Sequence, residues 1–395
     1  MDALSFLVRV IGDLPGHTLI LAFVVLLVTA FYTFFTWLRP SRALSSPSEK
    51  TYKTTTPDGK VVTRQLPCWH DRWLAERQAS EDRETQEGDG PLLPIPDTGS
   101  IEPAEIRLSV VIPAYNEEKR ILPALEDAVK YLDAHFGRQS ELAADNAETK
   151  KGITSPSSPR WRHNIPPEQA RKGYEIIIVN DGSRDRTEEV VLDFARKHEL
   201  HDVLRLVTLA RNRGKGGGVT HGLRHARGEF ALFADADGAS RFSDLGKLLE
   251  GCEDVTDASH RGVAIGSRGH LVGSEAVVKR SALRNFLMRG FHFCGFKLFS
   301  RSALPHIVPY MHAEGWIFDI EMLMLAESAP AVPVLSSDGA VIGSSPGIKV
   351  AEVPIDWHEV DGSKLNVIQD SVRMAVGLAV LRASWMVGVY RRRLT

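Results

Sequence analysis

The stretch from residue 204 to residue 242, LRLVTLARNRGKGGGVTHGLRHARGEFALFADADGASRF, constrains this chain more than any other. It reads as a short apolar strand (204–209), a basic glycine-dense turn (211–218), a helix (219–226), a second strand (229–234) and an acidic turn. Glycine lets a backbone bend tightly and approach a ligand closely. In an open α/β sheet, ligands bind outside the carboxyl ends of the strands. Both turns follow such ends. The first offers Arg211, Arg213, Lys215 and free amides; the second offers Asp235 and Asp237. A nucleotide diphosphate bridged to a divalent cation needs both. A Gly/Arg turn alone is usually a solvated loop, and a lone Asp-x-Asp is common on surfaces. Position after an apolar strand gives this pair its weight.

The pattern repeats upstream. A strand over 108–112 stops at Pro113 and runs into Ala114-Tyr115-Asn116-Glu117-Glu118. A helix over 119–134 follows, with Ile121, Leu122, Leu125, Val129 and Leu132 on one face. A strand over 175–179 ends in Asn180-Asp181-Gly182-Ser183, and Thr187 opens a helix to about His198. This alternation predicts an α/β fold with a mostly parallel, doubly wound sheet. Downstream, a strand over 262–266 leads to Ser267-Arg268-Gly269. A basic, apolar helical stretch over 276–293 carries Lys279, Arg280, Arg284 and Arg289. A strand over 294–299, a helix over 316–327 with Asp319 and Glu321, and a strand over 352–357 complete the domain, 106–365. Polar stretches over 137–172 and 331–349 read as loop insertions.

Residues 19–38 form an uncharged run of about twenty residues, long enough to span a bilayer. The run is too long for a signal peptide and lacks a small-residue cleavage site, so it reads as a signal-anchor. Arg39, Arg42, Lys50 and Lys53 follow it, which places residues 1–18 in the lumen and the domain in the cytosol. Residues 39–105 read as a linker, partly disordered, with Trp69 and Trp73 docking locally. The tail, 366–395, with Trp385 and Arg391-Arg392-Arg393, reads either as an interfacial amphipathic helix or as a soluble helix on the core. A net charge of −2 supplies no global basic field for nucleic acid. Cys68, Cys252 and Cys294 are an odd set without metal spacing and argue against a disulfide framework.

The oxygen ligands Asp235 and Asp237 suit Mg²⁺ or Mn²⁺, which take one or two carboxylates plus substrate phosphates. Asp181 can accept hydrogen bonds from a base or ribose, although Asp-Gly-Ser is also a common turn. Pro113, Tyr115 and Glu117 close the first strand end, with the Tyr115 ring free to stack. The glycine turn lacks P-loop spacing, and Val219 stands where a dinucleotide fingerprint needs glycine.

Taken together, LSVVIPAYNEE, VNDGSRDRT, the basic glycine turn and ADADGA resemble a family 2 glycosyltransferase of the GT-A fold. IGSRGHL, CGFKLFSR, GWIFDIEMLMLAE and EVPIDWHEVDGSKL are similar to its dolichyl-phosphate β-glucosyltransferase branch. The resemblance implies UDP-glucose as donor, dolichyl phosphate as acceptor, a divalent metal, inversion at the anomeric carbon, and the cytosolic face of the endoplasmic reticulum membrane. There the product serves protein N-glycosylation. In that branch a further segment precedes CGFKLF; here Phe293 meets Cys294 directly. The catalytic set expected is Asp237, Arg268, Arg284 and Asp319; the donor set is Pro113, Tyr115, Glu117, Asp181, Arg211, Lys215 and Asp235. Arg268, Arg280 and Arg284 are expected at the acceptor phosphate, because two anionic substrates must meet and arginine binds phosphate bidentately. A mannosyltransferase using GDP-mannose, and a nucleotide-sugar-binding homologue without turnover, are the competing readings.

Overall fold

Nine strands make one sheet in the order β11-β7-β8-β6-β3-β4-β5-β1-β2. The computed structural model describes residues 15–38, 46–86, 101–138, 173–267, 293–336, 339–358, 360, 367–386 and 388. The strands are β1 (Thr51–Thr55), β2 (Val61–Gln65), β3 (Ile106–Ala114), β4 (Tyr174–Asn180), β5 (Leu204–Thr208), β6 (Gly228–Ala234), β7 (Val263–Ser267), β8 (Phe293–Ser300) and β11 (Val350–Pro354). Strands β9 (Val332–Leu335) and β10 (Val341–Ser345) form a separate hairpin.

The centre, β6-β3-β4-β5, is parallel, as the alternation predicts. These strands read as unbroken apolar runs because both faces are covered. On one face Leu108, Val110, Ile176 and Ile178 pack with Leu125, Leu132, Val191 and Leu248 from helices α3 (Ile121–Phe136), α4 (Thr187–Lys197) and α6 (Leu245–Val255). On the other face lies α5 (Gly214–Leu223), its Gly222 against Val111 and Val179. Strand β8 runs antiparallel between β6 and β7, so its start meets their ends. Pro113 sits inside β3, in register with Val179 of β4.

Three expectations are corrected. First, the glycine stretch 211–218 is not wholly a turn; from Gly214 onward it is helix α5. Each interior glycine costs a helix about 1 kcal/mol relative to alanine. Here they are needed for close approach. A Cβ on Gly216 would lie 2.6 Å from the Ala313 carbonyl oxygen, and one on Gly222 would lie 2.3 Å from Val111 Cγ1. Val111 is fully buried and cannot yield. Gly222→Ala is therefore expected to destabilise the domain by about 1–3 kcal/mol through overpacking, despite alanine's better helix propensity. A denaturation midpoint at or above that of the wild type would contradict this packing.

Second, 46–86 is not linker. Strands β1 and β2 form a hairpin that extends the sheet past β5. Its turn, Thr56-Pro57-Asp58-Gly59, uses Gly59 at φ +78°. Thr54 Oγ1 donates to the Leu204 carbonyl, and Tyr52 is buried under the Arg205 guanidinium. Helix α2 (Trp69–Gln86) opens with Trp69, whose indole N–H donates to the Leu223 carbonyl at the end of α5. Third, 331–349 contains the hairpin β9–β10, where the Ser336 amide donates to the Ala340 carbonyl and Gly339 takes φ +83°.

The described residues separate into two units, the sheet domain within 44–366 and a unit with the two terminal helices. Helix α1 (Gly16–Leu38) is the one helix among the described residues long and apolar enough to cross a membrane. Its 23 residues rise about 34 Å, against roughly 30 Å of hydrocarbon. Thr29 and Thr33 donate to the carbonyls of Val25 and Thr29, so neither hydroxyl needs water. The C-terminal helix, Val367–Met386, exposes Val372, Val376, Leu378 and Met386.

Candidate active site

Parallel pairing in register carries the ends of β3, β4, β5 and β6 to one edge of the sheet. The loops after β3 and β4 are stitched together there. Asn116, at φ +54°, donates its backbone N–H to the Ser183 hydroxyl and accepts the Arg184 N–H on its side chain. Glu117 N–H donates to Thr187 Oγ1, and Glu118 N–H to Asp185. Tyr115 is half-buried in this loop. Glu117 is buried and gripped by Arg120 through two hydrogen bonds of 2.8 and 2.7 Å.

Asp181 follows β4 and is 3% exposed. Its Oδ1 accepts the Arg213 amide at 2.6 Å, and its carbonyl accepts the Asn212 side chain at 3.0 Å. Burial pushes its carboxyl up to about 6. Arg211 is exposed beside it. The Arg213 side chain is held by carboxylates: Nε and Nη2 lie 2.9 and 2.8 Å from Glu314, and Nη1 lies 3.9 Å from Glu49.

The acidic turn gathers the densest charge. Asp235 and Asp237 leave β6 half-buried. Lys215, on the first turn of α5, places Nζ 2.5 Å from Asp235 Oδ1 and over the rings of Phe233 and Trp316. Burial opposes the Lys215 charge, yet Asp235, Asp319 and Asp237 hold its pKa above the ordinary value. Burial pushes the Asp235 carboxyl up; Lys215 pulls it down and Asp237 adds to the rise. The hydrogen bonds it donates to Glu117 hold the Arg120 pKa high against burial, with smaller contributions from the charges of Glu117, Asp237 and Asp235. Asp319, at the start of helix α7 (Phe318–Glu327), lies 2.7 Å from the Nζ of Lys297, whose side chain is fully buried.

One feature of the backbone fits a cation here. Gly295 lies against Asp235: an added Cβ would fall 2.1 Å from Asp235 Oδ2. The carboxylate thus occupies a space kept open by the missing side chain. Two hard oxygen donors one residue apart could hold Mg²⁺ or Mn²⁺. The carboxylates of Asp235, Asp237 and Asp319 stand among Lys215, Lys297 and Arg120.

The structure thus brings Lys215, Asp235, Asp237 and Asp319 together, and sets Asp181, Tyr115 and Glu117 along the same edge. Pro113 packs beneath, against Gly218. Arg268, Arg280 and Arg284 lie outside the described residues. Sequence reading missed Arg120, Gly295, Lys297 and Trp316. Gly295 and Lys297 stand in a strand otherwise apolar, FCGFKLF, and that break in pattern was the available signal.

The sequence matches the family described as Glycosyl transferase family 2 over residues 168–306. It is 36% identical to the dolichyl-phosphate beta-glucosyltransferase of Saccharomyces cerevisiae, over 99% of this chain and 98% of that one. The proteins of that name from Dictyostelium discoideum and Homo sapiens are 35% and 34% identical over 72% of this chain, and 77% and 78% of theirs. Among solved structures, a mannosyltransferase from Pyrobaculum calidifontis in complex with GDP-Man and Mn²⁺ is 17% identical with a TM-score of 0.39, over 80% of this chain and 74% of that one.

Proposed function

The chain belongs to the dolichyl-phosphate β-glucosyltransferases, within glycosyl transferase family 2, and on that premise we propose that it moves glucose from UDP-glucose to dolichyl phosphate at the cytosolic face of the endoplasmic reticulum membrane. The likeness to the yeast relative over nearly the full length of both chains carries this reading. The charges at the sheet edge agree with it.

In the proposed arrangement Asp181 and Tyr115 meet the uridine, and Lys215 and Arg211 face the diphosphate. Asp235 and Asp237 would hold Mg²⁺ or Mn²⁺, which when bound neutralises charge developing on departing UDP. A phosphate monoester is already anionic near neutral pH, so the acceptor needs no strong base. Its oxygen attacks the anomeric carbon opposite the leaving group. One C–O bond forms, the bond to UDP breaks with its electron pair, and the configuration inverts. Fixed cations must offset repulsion between the two anionic substrates; we assign that to Arg268, Arg280 and Arg284. Asp319, fixed by Lys297, can accept hydrogen bonds from sugar hydroxyls.

The decisive assay supplies the full chain in membranes with dolichyl phosphate and either radiolabelled UDP-glucose or GDP-mannose. Label is expected in the lipid phase from UDP-glucose only. Label from GDP-mannose, or none from either, overturns the reading. Topology has its own test: protease added outside sealed microsomes is expected to digest the sheet domain. Protection without detergent would reverse the orientation read from Arg39, Arg42, Lys50 and Lys53.

The state of Asp181 predicts a pH dependence. Its raised pKa means the carboxylate gains a proton as pH falls through about 6. The anion that accepts the uracil N3–H or a ribose hydroxyl is then lost, so donor KM should rise below pH 6. Asp181→Asn should raise KM and flatten that limb. An identical acid limb in the variant would remove Asp181 from the nucleotide site.

A further inference from the structure

Glu49 is a buried acid that none of the chemistry above uses. It lies on a short helical turn, Pro47–Lys50, between the membrane helix and β1. It is 3% exposed. An acid so buried is costly unless its oxygens are satisfied. Here Oε1 accepts the Ala210 amide at 2.9 Å, and Oε2 accepts the Ser46 amide at 3.0 Å. Oε2 also lies 3.9 Å from Nη1 of Arg213. The Glu49 carbonyl takes a further hydrogen bond, 3.0 Å, with Nε2 of the buried His221 on α5.

These contacts bracket the segment that ends β5 and opens α5. Ala210 is the second residue after β5 and Arg213 is the last before the helix. The amide of Arg213 is the group that donates to Asp181 Oδ1 at 2.6 Å. Glu314 holds the Arg213 guanidinium from one side, and Glu49 stands on another. We infer that Glu49 is a positioning residue for donor binding: a segment outside the parallel sheet sets the loop whose amides orient Asp181, and so tunes affinity for the nucleoside diphosphate. The inference rests on the nucleotide reading of Asp181. It makes residues 46–50 part of the glycosyltransferase site.

The test measures UDP affinity by calorimetry, and both KM values, on the full chain in detergent. The variants are Glu49→Ala, Glu49→Gln and Asp181→Asn. Glu49→Gln keeps an oxygen for the Ala210 amide and loses the charge and the acceptor for the Ser46 amide, so it is expected to fold and to weaken UDP binding about threefold. Glu49→Ala should weaken it about tenfold, with donor KM rising in step and acceptor KM unchanged. A merely structural role would lower the active fraction and leave both KM values alone. That result, or UDP affinity unchanged in both Glu49 variants while Asp181→Asn weakens it, overturns the inference and leaves the nucleotide site standing. Should Glu49→Ala fail to fold, Glu49→Gln decides alone: wild-type UDP affinity overturns the inference. Unchanged affinity in all three variants overturns both.

Discussion

Asp237→Asn is expected to lower kcat/KM by about a thousandfold or more, which is at least about 4 kcal/mol of transition-state stabilisation. The physical reason is charge. The proposed donor carries a diphosphate, and Asp235 with Asp237 would hold the cation that neutralises it. The substitution removes one of the two anions without changing shape. It should also abolish Mn²⁺ binding measured by electron paramagnetic resonance in the absence of substrates. Stability should hardly move, because Asp237 is half-exposed and the structural bond it makes, from the Ala239 amide at 3.1 Å, can be accepted by an asparagine oxygen. Full activity in this variant, or unchanged Mn²⁺ binding, would sink the metal assignment.

The second large effect is on stability. Lys297 is fully buried and lies 2.7 Å from Asp319. Asp319→Asn takes away the carboxylate charge 2.7 Å from that ammonium. Breaking a buried ion pair in this way costs about 3–5 kcal/mol, because an uncompensated charge stays in the interior. Asp319 is 22% exposed, which places the expected loss near the lower end, about 3 kcal/mol. Lys297→Met combined with Asp319→Asn removes both charges and should recover most of it, since a methionine can fill the space over the Phe233 ring that the ammonium now occupies. Transfer should remain impaired in the double variant. Additive losses in denaturation experiments would show that the two side chains are not coupled. Wild-type transfer in the double variant would remove Asp319 from the catalytic set.

The parallel centre of the sheet was legible because its strands are buried on both faces. Val110 to Ala114, Ile176 to Val179 and Phe230 to Ala234 are continuous apolar runs with polar turns at their ends. Those same turns hold Asp181, Asp235 and Asp237, so much of the site was legible with them. The two hairpins were not. Thr51-Tyr52-Lys53-Thr54-Thr55 is polar because it lies toward the edge of the sheet, and periodicity reads such a strand as linker. The sequence Asp58-Gly59 was the local signal for the first of them, and it is specific. Helix α5 was misread for a related reason. Propensity treats its glycines as turn formers, whereas they are set by contacts with Val111, Pro113 and Ala313 that come from distant parts of the chain. Lys215 lies beside Asp235, its neighbour in the sequence pattern, whereas the partners of Arg213, Glu314 and Glu49, are far from it in sequence.

The central claim is that the acceptor phosphate attacks the anomeric carbon in one displacement at the edge bearing Asp235 and Asp237. The anomeric configuration of the lipid product tests it most directly. UDP-glucose is α-linked. Product made by the full chain from UDP-glucose and dolichyl phosphate, examined by proton nuclear magnetic resonance, is expected to show the large H1–H2 coupling of a β-glucosyl phosphate. An α-linked product would require retention, hence a second displacement or a different attacking face, and would contradict the account.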